Sequence, residues 1–235
     1  MDQEDLTTQL EAIRAKRGYL LPHHGLMAVA APDLLAAYDA TYSALTLHER
    51  HLSRHDHESV WLAILIATDE ALATHHIPKF FNAGGSNDEV EALLSLTAFA
   101  SGFRAYRFIH CHWREHLPGL DVQGSYARGF DTAAQGLDPR VAQLCGIAVH
   151  TCAAAWQALE WQLIEAYTQA VPEQEIAEAL SLCMFPGSVP YFVEAAGIWR
   201  RLILEERVQA SSGFRAWAEI SGQGGYDEAQ GDSSR

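Results

Sequence analysis

Two stretches of this chain nearly repeat each other. Glu89-Val90-Glu91-Ala92-Leu93-Leu94-Ser95-Leu96 returns as Glu175-Ile176-Ala177-Glu178-Ala179-Leu180-Ser181-Leu182, 86 residues further along. At nearly the same separation Arg54 meets Arg140, Gly102 meets Gly187 and Trp113 meets Trp199. A fixed internal period is the signature of a duplicated supersecondary unit. Each repeated segment reads as a helix, follows a long apolar stretch and precedes a glycine turn. No run alternates apolar and polar residues with the period of two that a half-buried strand requires. The expected fold class is therefore all-α, built from two tandem helical repeats.

The boundaries follow from the breaks. Residues 1–29 read as an N-terminal extension, 30–116 as a first repeat, 117–210 as a second, degenerate repeat, and 211–235 as a flexible tail rich in Gly, Ser and acidic residues. Pro32 opens a helix reaching about Leu47. Glu58 to Ala83 reads as two helices with a bend, and Gly84-Gly85 stops the second. Ser86 or Asn87 then caps the next helix. Residues 118 to 138 read as a linker.

Composition narrows the function. Hydrophobic residues make up 49% of the chain, enough to bury a substantial core. The formal net charge is -14 with no basic run, which excludes a phosphate-tracking nucleic-acid binder. The longest apolar stretch, Val60 to Thr68, is too short to span a bilayer. The amino-terminal residues are acidic and lack the apolar centre of a signal peptide. The four cysteines, Cys111, Cys145, Cys152 and Cys183, form no C-x-x-C pair. A soluble, cytoplasmic protein without membrane or nucleic-acid partners is expected.

Chemistry-bearing side chains gather in the first repeat. On a continuous helix Asp69 and His76, seven apart, share a face, and Glu58 lies eleven before Asp69 on that face again. A carboxylate beside an imidazole fixes its tautomer and raises its basicity. His76, Glu58 and Asp69 are therefore the candidate catalytic residues. His75 adjoins them, and Arg104 and Arg107 offer forks for a substrate carboxylate; these three are the candidate substrate-binding residues. His112 and His116, at i and i+4, have the spacing of a metal pair but lack an obvious third ligand.

One arrangement of residues is more specific. Glu58 opens the apolar run Val60 to Ala67; His76 follows, then Gly84 eight positions later, then Glu89-Val90. The lead-in is Pro32-Asp33-Leu34-Leu35-Ala36-Ala37-Tyr38. This order resembles the core of the carboxymuconolactone decarboxylase and alkylhydroperoxidase-D-like superfamily. The resemblance implies a cofactor-free enzyme, a lyase, hydrolase or isomerase, acting on a small carboxylated compound such as a product of aromatic catabolism. It also implies a homo-oligomer.

The departures matter equally. Redox members carry cysteines seven and four positions before the histidine, where this chain has Asp69 and Leu72, so a thiol peroxidase is excluded. Leu72 also stands where the decarboxylases have an acidic residue. In the second repeat Gln143 and Gln162 stand opposite Glu58 and His76, and Ala155 opposite Asp69; amides hold hydrogen bonds but move no protons at neutral pH. Two other readings remain open: a catalytically silent scaffold for binding or assembly, and a metal-dependent variant using the histidine clusters.

Overall fold

The structure, a computed structural model, describes residues 3–225 and Glu228. It is all-helical, with no strand among the described residues. The chain divides into two compact units, residues 1–49 and 50–235.

The first unit holds α1 (Gln3–Arg17), α2 (Pro22–Ala30) and α3 (Pro32–Thr46). Pro22 and Pro32 open their helices where the missing N–H would have had no partner in any case. Ile13, Ala28 and Leu35 form the core, with Leu6, Leu10, Leu20 and Met27 packed around them. Arg17 Nη2 lies 2.6 Å from Asp39 Oδ1, and the guanidinium sits 4.2 Å over the Tyr42 ring. His24 is fully buried in the first turn of α2, where its Nδ1 accepts from the Leu21 N–H at 3.0 Å.

The second unit begins with α4 (Arg54–Ala67), α5 (His76–Asn82), α6 (Asn87–Ser101) and α7 (Arg104–Phe108), which runs into a π-helical turn at Ile109–Trp113. It continues with α8 (Val122–Ala133), α9 (Pro139–Cys152), α10 (Trp156–Thr168), α11 (Glu173–Leu182), α12 (Val189–Leu204) and α13 (Ser212–Glu219). Its centre is α9, which packs on α4, α6, α10 and α11. Every residue of α9 from Val141 to Thr151 is buried, the pattern of a helix enclosed on all sides. Leu144 and Ile147 have no exposed surface, and burying each contributes about 1.5–3 kcal/mol.

Polar groups tie the central helices together. Arg140 of α9 reaches Asp56 of α4 at 2.6 Å and also pairs with Glu175 of α11. Buried Glu178 of α11 accepts from the backbone N–H groups of His51 and Leu52 at 2.8 and 2.9 Å, fixing the approach to α4. Ser53 caps α4 and Asp138 caps α9. The stop at Gly84-Gly85 is as expected: Gly84 has φ +99, and a Cβ on Gly85 would sit 2.3 Å from the Phe80 ring. Ser86 and Glu89 then form a capping box for α6.

Element spacing runs parallel in the two halves of this unit. α4 and α9 start 85 residues apart, α6 and α11 86 apart, and α7 and α12 85 apart, whereas α5 and α10 start 80 apart.

Three local expectations are corrected. The presumed linker contains α8, with Tyr126 and Phe130 buried. No helix joins Asp69 to His76, because α4 ends at Ala67 and α5 begins at His76 itself. The presumed tail carries α13, and its end, residues 226, 227 and 229–235, lies outside the described residues. Among the described residues no helix is long and apolar enough to cross a membrane.

Candidate functional site

Glu58 and Trp61 are three residues apart on α4 and so face the same way. Both are buried. The chain leaves α4 at Thr68, turns through Asp69 with φ +54, and fastens the loop by Glu70 Oε1 accepting from the Leu72 N–H at 2.7 Å. It re-enters a helix at His76, which it thereby sets against the flank of α4. Glu58 Oε2 lies 2.6 Å from His76 Nδ1, with the imidazole only 1% exposed. Trp61 stacks on the imidazole at 4.5 Å between ring centres and 23° between planes. His57 Nδ1 stands 3.6 Å from the other Glu58 oxygen.

The electrostatics assign the proton. Burial alone would raise the Glu58 carboxyl, but the ring N–H groups of His57 and His76 outweigh it and hold its pKa at about 2. Burial lowers the His76 pKa; Glu58 resists this, while the Lys79 and His57 charges add to it. The pair at neutral pH is therefore a carboxylate and a neutral imidazole. A carboxylate only accepts, so Nδ1 carries the hydrogen and Nε2 keeps its lone pair. Among the described residues nothing hydrogen-bonds to His76 Nε2.

Lys79 completes the site. It lies one turn beyond His76 on α5 and is half-buried. Burial lowers the pKa of its ammonium; Glu58 opposes that shift and Arg54 assists it. No hydrogen bond or ion pair among the described residues engages it. The sequence reading passed over Lys79, although its i, i+3 relation to His76 was the available signal. Trp61 Nε1 is also buried without a hydrogen-bond partner among the described residues.

The other expected residues fare unequally. His75 is half-buried, with its ring centre 4.3 Å from that of His76. Asp69 is exposed in its left-handed turn and takes no part in the Glu58–His76 contact; its placement on a shared helix face is corrected, because that helix is interrupted. Arg104 and Arg107 are exposed on α7. His112 and His116 are exposed too. Their α-helical i, i+4 relation is lost, since His112 lies in the π-helical segment and His116 in the hydrogen-bonded turn after it. Among the described residues no group of three or more His, Cys, Asp or Glu side chains could hold a metal ion.

Gln143 and Gln162, 85 and 86 residues after Glu58 and His76 in the sequence, meet each other as well. Gln162 Nε2 donates to Gln143 Oε1, and both side chains are buried.

The family model described as the Carboxymuconolactone decarboxylase family matches residues 32–109. The matched stretch contains Glu58, Asp69, His76 and Lys79, and the resemblance read from the sequence is thereby shown. No curated protein and no solved structure matches the chain.

Proposed function

We propose that this chain is a cofactor-free acid–base enzyme of the carboxymuconolactone-decarboxylase kind. Its substrate is a small carboxylated compound, and His76 is the group that moves the proton. The single observation carrying this reading is the buried 2.6 Å contact between Glu58 Oε2 and His76 Nδ1. Glu58 orients the ring, and its charge stabilises the imidazolium formed when Nε2 takes a proton. The Lys79 ammonium, half-buried and unengaged, suits a substrate carboxylate near Nε2. Nε2 removes a proton from carbon and returns one to carbon or to a leaving oxygen. That exchange serves double-bond migration and the eliminative opening of a lactone; protonation after loss of carbon dioxide instead uses a proton that Nε2 has first taken from water.

The halves of the second unit support a duplication in which only the first copy reacts. Three of their helix pairs start at offsets of 85, 86 and 85 residues and the fourth, α5 and α10, at 80, and Gln143–Gln162 takes the place of Glu58–His76. A buried ion is costly even when paired, and amides are a cheaper way to fill the same place. Retention of the ionisable pair in one copy alone favours chemistry over a silent scaffold. Thiol chemistry at the His76 centre has no support along the chain: Cys111, Cys145, Cys152 and Cys183 all lie outside residues 30–110. Exposed Leu72, Ile77 and Phe81, flanking the site along the chain, favour association of several copies.

The test is proton exchange. Small unsaturated mono- and dicarboxylic acids and their lactones are incubated with the protein in deuterium oxide, and loss of C–H signal is followed by proton NMR. Exchange that disappears in His76→Gln supports the proposal. Exchange that persists in His76→Gln, or its absence with every compound, removes it.

A further inference from the structure

A cleft of ≈ 260 Å³ opens over the glutamine pair of the carboxy-terminal half. Pockets for small ligands start near about 300 Å³, so it would take only a compact molecule. Its walls are the aromatic side chains of Tyr126, Phe130 and Trp161, all buried. At its floor Gln143 and Gln162 are 1% and 3% exposed. They share one hydrogen bond, which leaves Gln143 Nε2 and Gln162 Oε1 without partners among the described residues. Neither atom is shut away from solvent in the protein interior. Since both residues line the cleft, these amide ends face it.

Every charged side chain lining the cleft is acidic, and one of them, Asp121, has the Arg128 guanidinium 3.9 Å away. Asp131 of α8 and Glu165 of α10 line the cleft. Burial raises the Asp131 pKa, and the Glu165 charge raises it further, so the two carboxylates repel each other across the opening. No hydrogen bond among the described residues engages the Asp131 carboxylate, while Glu165 accepts from Gln169 Nε2 at 3.0 Å. No basic side chain lines the cleft.

We infer that this cleft is a binding site for a small organic cation, a primary alkylammonium, distinct from the His76 centre. The ammonium sits between the Asp131 and Glu165 carboxylates and relieves their repulsion. Its alkyl part lies against Trp161 and Tyr126, whose ring faces also favour a cation. Gln162 Oε1 takes a remaining N–H, and Gln143 Nε2 stays for a polar group on the ligand. Having no titratable group at its floor, the site binds without reacting.

The probe is n-butylammonium, followed by line broadening and saturation transfer in proton NMR and by isothermal titration, with n-butyrate and n-butanol as controls. The expected result is binding of the ammonium alone. In Asp131→Asn/Glu165→Gln it weakens by about tenfold or more, the loss of a charged hydrogen-bond partner. Binding is retained in His76→Gln, which separates this site from the proposed reaction centre. Both substituted acids lie at or near the surface, and an unchanged melting curve shows that the double variant folds. Absence of butylammonium binding overturns the inference, as does equal binding by butyrate or by the double variant.

Discussion

Glu58 Oε2 and His76 Nδ1 meet at 2.6 Å across the gap between two helices, with both side chains buried. The contact joins the buried face of α4 to the first residue of α5 and leaves one imidazole nitrogen unengaged. Each consequence of that arrangement can be measured.

Removing the carboxylate charge should disable the base while leaving the site intact. Glu58→Gln keeps the size but can present an N–H to the ring and select the wrong tautomer. General acid–base assistance is worth about 10²–10⁴-fold, so kcat should fall by about a hundredfold or more with little change in KM. His76→Gln should fall comparably, and the double variant no further, because the pair acts as a unit. Steady-state kinetics on the substrate found by exchange screening would check this. A full additive loss in the double variant would contradict it.

Lys79 and the α7 arginines should separate. Lys79→Met should raise KM by about tenfold or more, the loss of one charged contact, with a smaller effect on kcat. Arg104→Ala and Arg107→Ala should change neither constant by more than about twofold, surface substitutions being usually within about 0.5 kcal/mol. The split between KM and kcat across the three variants is the readout.

The acid limb of the pH–rate profile belongs to His76. Burial lowers its pKa from 6.5, so the rate should hold through neutrality and fall only below that value, as the base is protonated. The Lys79 charge is one of the groups lowering it. In Lys79→Met the limb should therefore move to higher pH. A limb that stays put, or moves to lower pH, would oppose this account.

Stability should also fall on acidification. His76 and His150 are buried and neutral, and burial holds His150 at about 3. Their folded-state pKa values are depressed, so below about 6.5 the unfolded chain binds more protons than the folded one. That stability is present above the unfolded value and is lost as pH falls toward the folded values. Glu58, at about 2 against an ordinary 4.5, adds a loss in the same direction below 4.5. Urea midpoints measured from pH 7.5 to 4 should decline steadily, and His150→Gln should flatten the slope. A flat wild-type profile would count against the protonation states assigned here.

The helical class was legible because apolar runs, glycine stops and caps agree with one another along the chain. Glu58 and His76 were legible through their order and spacing about an apolar helix. Asp69 was misplaced because its seven-residue relation to His76 holds only on an unbroken helix, and the chain turns at Asp69 with φ +54. The α8 helix was hidden by Gly124 and Gly129. Those glycines lower helix propensity, and Gly129 is required by packing: a Cβ there would lie 2.5 Å from the Phe99 ring. The π-helical turn at Ile109–Trp113 removed the His112–His116 face in the same way, through backbone geometry that residue spacing does not report. Lys79 was passed over because a single lysine near a proline reads as surface until the fold half-buries it.

The most direct measurement is nitrogen-15 NMR of histidine-labelled protein at pH 7, with the His76 ring assigned by its loss in His76→Gln. The ring should be neutral, with the proton on Nδ1 and Nε2 bare, and Glu58→Gln should change the tautomer. A His76 ring protonated on Nε2 at pH 7, or unchanged by Glu58→Gln, would contradict that assignment.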